Sequence, residues 1–172
     1  MLDRLVDILL QFIELFKFWI VLNPYEAGVQ IRLGKFKKVL EPGFHWLLPF
    51  GIDQTLHEHT VPRTHTLGDQ SVTTLDGRGI GFQAVITYQV NDIKKALMDV
   101  EDSDHAIQDS CAGNIAHVLA GYTWADINGK FDEVMDAVTK TCRARGWKFG
   151  LEIKSVQCAT ITTVRTIRLL NK

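Results

Sequence analysis

The run Ile80-Gly-Phe-Gln-Ala-Val-Ile-Thr-Tyr-Gln-Val90 alternates Ile80, Phe82, Ala84, Ile86, Tyr88 and Val90 with Gly81, Gln83, Val85, Thr87 and Gln89. Successive side chains of an extended chain point to opposite faces, so this is a half-buried strand with one flat apolar face. Asp76-Gly77 supplies the turn before it. Gly77, Gly79 and Gly81 do not have the G-x-G-x-x-G spacing and no helix follows them. They read as easing a turn and a close strand approach, not as a phosphate cradle.

Downstream of this strand the period changes. Asp92 to Met98 is a short helical stretch, and Ser103 reads as the N-cap of a longer helix carrying Ile107, Cys111, Ile115, Val118 and Leu119, with Gly121 as its stop. Thr123-Trp-Ala-Asp126 resembles a capping box with Asp in place of Glu or Gln. Phe131, Val134, Met135, Val138 and Cys142 line one side of a further helix ended by Gly146, and Leu151 to Thr160 returns as a strand. Antiparallel strands, then helices, then a closing strand make an α+β domain.

Upstream, Glu26 to Leu40 reads as a hairpin turning at Leu33-Gly34-Lys35. Its tip gathers Arg32, Lys35, Lys37 and Lys38, which next to a membrane segment would attract anionic lipid head groups at about 1 kcal/mol each. A turn at Pro42-Gly43 then opens an apolar loop with Phe44, Trp46, Leu47, Leu48 and Phe50, which is either core or a membrane-touching loop.

The first 22 residues, MLDRLVDILLQFIELFKFWIVL, contain sixteen apolar residues; Asp3, Arg4, Asp7, Gln11, Glu14 and Lys17 recur at steps of three and four. As a helix this has a narrow polar stripe and an apolar face wider than one globular contact needs, with Leu9, Phe12, Phe16 and Trp19 on it. At about 1.5 Å per residue it would reach across a hydrocarbon core of roughly 30 Å. Burying Asp7 and Glu14 costs about 2.5–3.5 kcal/mol each, which makes a solitary span close to break-even. The expectation is an anchor, spanning or interfacial, with Asp7, Gln11 and Glu14 turned to sister copies or to the head groups. An acidic start without a small-residue cleavage site does not fit a secretory signal peptide. The basic residues following it place the globular part on the cytoplasmic side.

Composition sets the outer bounds. With 172 residues, 46% hydrophobic and 23% charged, the chain suits one domain plus an appendage. A net charge of −1 and pI near 6.6 argue against nucleic acid as partner. Cys111, Cys142 and Cys158 lie far apart and read as buried thiols, not a disulfide framework or zinc site. His57 and His59 share a strand face with His65 nearby, but two ligands without a third and a supporting shell do not hold a metal. His105 and Cys111 fall on opposite sides of a helix and no nucleophile elbow is present, so no catalytic residue, cofactor or metal is expected.

Taken together, Tyr25-Glu26-Ala-Gly28-Val29, Arg32-Leu33-Gly34-Lys35, Pro42-Gly43-Phe44-His45 and Leu48-Pro49-Phe50 closely resemble the opening of the SPFH (Band 7) domain of stomatins, prohibitins, flotillins and HflK/HflC-like proteins. Ser71-Val-Thr-Thr-Leu-Asp76-Gly77, the helix from Asp104-His105 to Gly121, and Arg145-Gly146-Trp147 to Lys154-Ser-Val156 continue the resemblance, which covers roughly residues 20 to 160. It implies an SPFH domain over residues 23–161 after an anchor at 1–22, with 162–172 starting a C-terminal helix. It further implies a non-enzymatic, membrane-associated scaffold that self-assembles into ring- or cage-like homo-oligomers organising a membrane microdomain. The alternative it implies is a regulatory partner of a membrane-bound AAA protease, acting alone or with a longer SPFH homologue. Where family members often carry Arg, this chain has His117 and Phe131, and it shows no heptad run for the family's long coiled coil.

Overall fold

A computed structural model describes residues 18–164. Nine strands form in chain order: β1 (Trp19–Leu22), β2 (Glu26–Arg32), β3 (Lys35–Leu40), β4 (Gly43–Trp46), β5 (Asp53–His59), β6 (Arg63–Thr66), β7 (Gln70–Thr73), β8 (Gly79–Val90) and, after the helices, β9 (Leu151–Val164). Between β8 and β9 come a π-helical turn (Lys95–Asp99), α1 (Ser103–Ala120), α2 (Trp124–Gly129), α3 (Phe131–Gly146) and a 3-10 turn (Trp147–Phe149). This is the α+β order expected from the sequence.

β8 is the spine. Every second residue from Ile80 to Val90 is buried, and β9 pairs with it antiparallel from Val90↔Leu151 to Gly79↔Val164. β6 and β7 share its other edge. The apolar face of β8 lies under α1, which buries Ile107, Cys111, Ile115 and Leu119, and α3, which buries Val134, Val138 and Cys142. Each such large side chain contributes about 1.5–3 kcal/mol by leaving water. Gly146 is required where α3 meets β9: a Cβ there would stand 2.8 Å from the Leu151 carbonyl oxygen.

The N-terminal part is a separate layer. β3-β2-β5 form a three-stranded sheet, and β1 with β4 a two-stranded ribbon. Leu40 of the sheet packs with Ile20, Leu22 and Leu47 in a second, smaller core.

Several expectations are corrected. The anchor helix does not run to Leu22: Trp19–Leu22 is strand β1, in register with β4 from Trp19↔Trp46 to Leu22↔Gly43. The run Trp-Ile-Val-Leu is aromatic and β-branched, and pairing with β4 satisfies its main chain while burying Ile20 and Leu22. No helix among the described residues is long and apolar enough to cross a membrane. Leu9, Phe12, Phe16, Asp7, Gln11 and Glu14 lie outside the described residues. At the other end, Thr162 to Val164 do not begin a helix but extend β9, paired with Gly81, Ile80 and Gly79. α1 is capped by Asp102, whose carboxylate accepts the His105 amide at 2.9 Å, in place of Ser103. Thr123 caps α2 as expected, accepting from the Asp126 amide at 3.1 Å.

Candidate membrane-facing site

The ribbon β1/β4 has two unlike faces because side chains alternate along each strand. Ile20, Leu22 and the adjoining Leu47 point into the small core. Trp19 and Val21 point the other way, directly across from Trp46 and Phe44, and all four are exposed, Trp46 at 70%. The Phe44 and Trp46 rings meet edge to face at 5.3 Å on this outward face.

Backbone hydrogen bonds close the end of this ribbon and join the β2–β3 tip to the loop before β5. The Leu47 amide donates to the Phe18 carbonyl at 2.7 Å, joining the end of β4 to the start of β1. The Leu33 amide at the β2–β3 tip donates to the Ile52 carbonyl at 2.9 Å. Trp19, Trp46, the Leu48 and Phe50 loop and the Leu33 tip are all exposed. Leu33 and Phe50 are also the non-glycine residues with positive φ among those described, at 49° and 63°. A left-handed conformation costs an L-residue about 1–2 kcal/mol. Both are large apolar residues exposed to solvent in that conformation.

A buried carboxylate links the hairpin and the loop. Asp53 at the start of β5 receives Arg32 Nε at 2.6 Å and Nη2 at 2.8 Å, the Gln30 amide at 2.7 Å and the Leu48 backbone amide at 2.8 Å. Its side chain is fully buried. Above all the Arg32 bonds hold the Asp53 carboxyl far below the usual carboxylate range, and the Leu48 amide and Gln30 add to the effect against the opposing influence of burial. The bidentate guanidinium joins hairpin to loop, and Leu48 is positioned by the same carboxylate.

Against the sequence expectations, Trp19, Phe44 and Trp46 share the outward face of the ribbon, Phe50 is exposed in the loop that follows, and Leu47 is 8% exposed and belongs to the core. Arg32 is committed to Asp53 and is not a free head-group ligand. Lys35, Lys37 and Lys38 are exposed along β3, an edge strand, with Lys35 nearest the tip and Lys37 at a register shift. Val21 and Leu33 are exposed apolar residues that the sequence reading does not single out; the signal for Leu33 is a bulky residue before Gly34 in a two-residue turn that favours Asn or Gly.

The remaining candidates disperse. His57 and His59 share a face of β5, and His59 Nδ1 lies 3.8 Å from Glu26 across the ladder, but His65 sits on β6 in another sheet. Hydrogen bonds from Asn23, backbone first, hold the Glu26 carboxyl below its ordinary value. Cys111 and Cys142 are buried where α1 meets α3, while Cys158 is half-buried.

The family model described as SPFH domain / Band 7 family matches residues 20–168, from β1 through β9. The chain belongs to the SPFH domain / Band 7 family. An uncharacterised protein of Methanocaldococcus jannaschii is 28% identical over 156 residues, covering 87% of this chain and 74% of that protein. An uncharacterised protein of Schizosaccharomyces pombe is 30% identical over 125 residues, covering 70% of this chain and 35% of that one. Human stomatin-like protein 2, mitochondrial, is 31% identical over 83 residues, covering 48% of this chain and 23% of its own length. This SPFH chain therefore spans well under half of the two longer relatives.

Proposed function

We infer that this SPFH-family chain is a non-enzymatic membrane-associated scaffold whose apolar end rests in a lipid interface. The observation that carries the reading is the outward face of Trp19, Val21, Phe44 and Trp46, with Leu33, Leu48 and Phe50 also exposed on the nearby turns of the chain. Half-exposed rings of this size gain about 2 kcal/mol each on leaving water, and Trp favours the head-group level. Lys35, with Lys37 and Lys38 behind it, adds attraction to anionic lipid. Membership of a family of oligomeric scaffolds supports assembly into homo-oligomers, and the basic residues Lys35, Lys37 and Lys38 favour a cytoplasmic side for the domain.

Flotation of the full chain on vesicles containing anionic lipid, against the Phe44→Ser/Trp46→Ser variant, tests the membrane reading. Reduced flotation of a variant that keeps its circular dichroism supports it; equal flotation contradicts it. A chain shortened to begin at Phe18 separates the ribbon from residues 1–17 and should still bind, whereas a cut at Asn23 would delete β1 and its two core residues. Recovery as a large homo-oligomer supports the scaffold, and recovery only in complex with a membrane protease favours the regulatory-partner alternative.

A further inference from the structure

Two of the sheet edges, β3 and β9, are treated differently by the sequence. β3 carries Lys35, Lys37 and Lys38, and lysines along an edge discourage pairing with another chain. β9 pairs with β8 on one side, and among the described residues no strand lies on its other. From Ser155 to Thr163 it reads Ser-Val-Gln-Cys-Ala-Thr-Ile-Thr-Thr, with neither charge nor proline.

Beside that edge a groove of about 650 Å³ opens between α3 and β9, with Met135, Asp136, Thr139 and Lys140 on the helix side and Val156 and Gln157 on the strand side. Arg143 crosses from helix to strand, donating at 2.9 Å to both the Ile153 and the Lys154 carbonyl oxygens, so those two acceptors are already used. From Ser155 to Thr163 the side-chain hydrogen bond to the strand's main chain is that of Cys158 Sγ, which donates to the Thr160 carbonyl oxygen at 3.3 Å. Lys154 is neutralised by Glu152 at 2.8 Å, which leaves Lys140 and Arg143 facing the one carboxylate of Asp136 in the lining.

We propose that the groove between α3 and β9 docks an extended acidic segment of a partner protein, which adds as a strand to the edge of β9 from Ser155 onward. Main-chain hydrogen bonds give such a segment its affinity, and the groove gives it specificity. Met135, partly buried on the helix side, receives an apolar side chain, and a carboxylate meets Lys140 and Arg143. Charge selects this occupant over two others. The same edge of a second copy offers no carboxylate between Ser155 and Thr163, and residues 165–172 carry Arg165, Arg168 and Lys172 without an acid. The proposal is independent of the membrane-facing end.

Fluorescence anisotropy of the full chain with a labelled Glu-Thr-Val-Glu-Val-Thr-Glu peptide tests it. Saturable binding is expected, roughly tenfold weaker for the peptide with Lys in place of Glu and for Lys140→Glu. Thr139→Trp, which fills the groove, should abolish binding, and amide exchange over 155–163 should slow only with the acidic peptide. Absence of binding by the acidic peptide overturns the proposal, as does binding that neither substitution weakens. A fall in solution mass on Thr139→Trp, with no peptide bound, would assign the groove to a second copy instead.

Discussion

Asp53 joins three segments through one carboxylate, and its replacement should be felt at all of them. Asp53→Asn keeps the shape but removes the charge that Arg32, Gln30 and the Leu48 amide address. A hydrogen bond to a charged group is worth about 1.5–3 kcal/mol, so urea unfolding should show a loss of that order. The pH dependence has a defined sign. The carboxyl value in the fold lies below its unfolded value near 3.8, so its stabilisation is complete above that pH and declines as pH falls below it. In Asp53→Asn the acid-side decline of the unfolding midpoint should be shallower. Leu33 makes the opposite case: held at φ 49° and 77% exposed, it is conformationally unfavourable and packs little. Leu33→Asn should stabilise the fold by about 1 kcal/mol, seen as a higher thermal midpoint, while weakening vesicle binding.

At the scale of elements, the β1/β4 ribbon divides structure from function by face. Phe44→Ser and Trp46→Ser alter exposed rings and should change the thermal midpoint little. Leu47→Ala, on the core face, should cost about 2–4 kcal/mol in denaturant unfolding. The sequence showed the aromatic loop but not the ribbon. Trp19-Ile-Val-Leu22 continues an unbroken apolar run, and periodicity does not distinguish a buried helix end from a strand there. Its partner, β4, lies more than twenty residues away, so the pairing that decides the matter is non-local. The same applies to Thr162 to Val164, whose strand state depends on Gly79 to Gly81. By contrast β8, α1 and α3 were legible because their periods are long and their buried residues fall on one face.

For the whole molecule, the architecture follows from the spine strand and two amphipathic helices, and the apolar end follows from a separate small core that points aromatic residues outward. Local patterns identified which residues were apolar; only the assembled turns show that the Leu33 tip is bonded to the Ile52 carbonyl, and only the buried Asp53 shows what holds Arg32 through Nε and Nη2. The most direct test uses the chain's own fluorophores. Of Trp19, Trp46, Trp124 and Trp147, the first two lie at the apolar end and Trp147 lies exposed after α3. Variants keeping a single Trp, mixed with vesicles of brominated lipid, report which indoles enter the bilayer. A membrane-facing ribbon predicts a blue shift and strong quenching for Trp46 alone and Trp19 alone, with little change for Trp147 alone. Equal quenching of Trp46 and Trp147, or none at Trp46 while the chain is vesicle-bound, would contradict it.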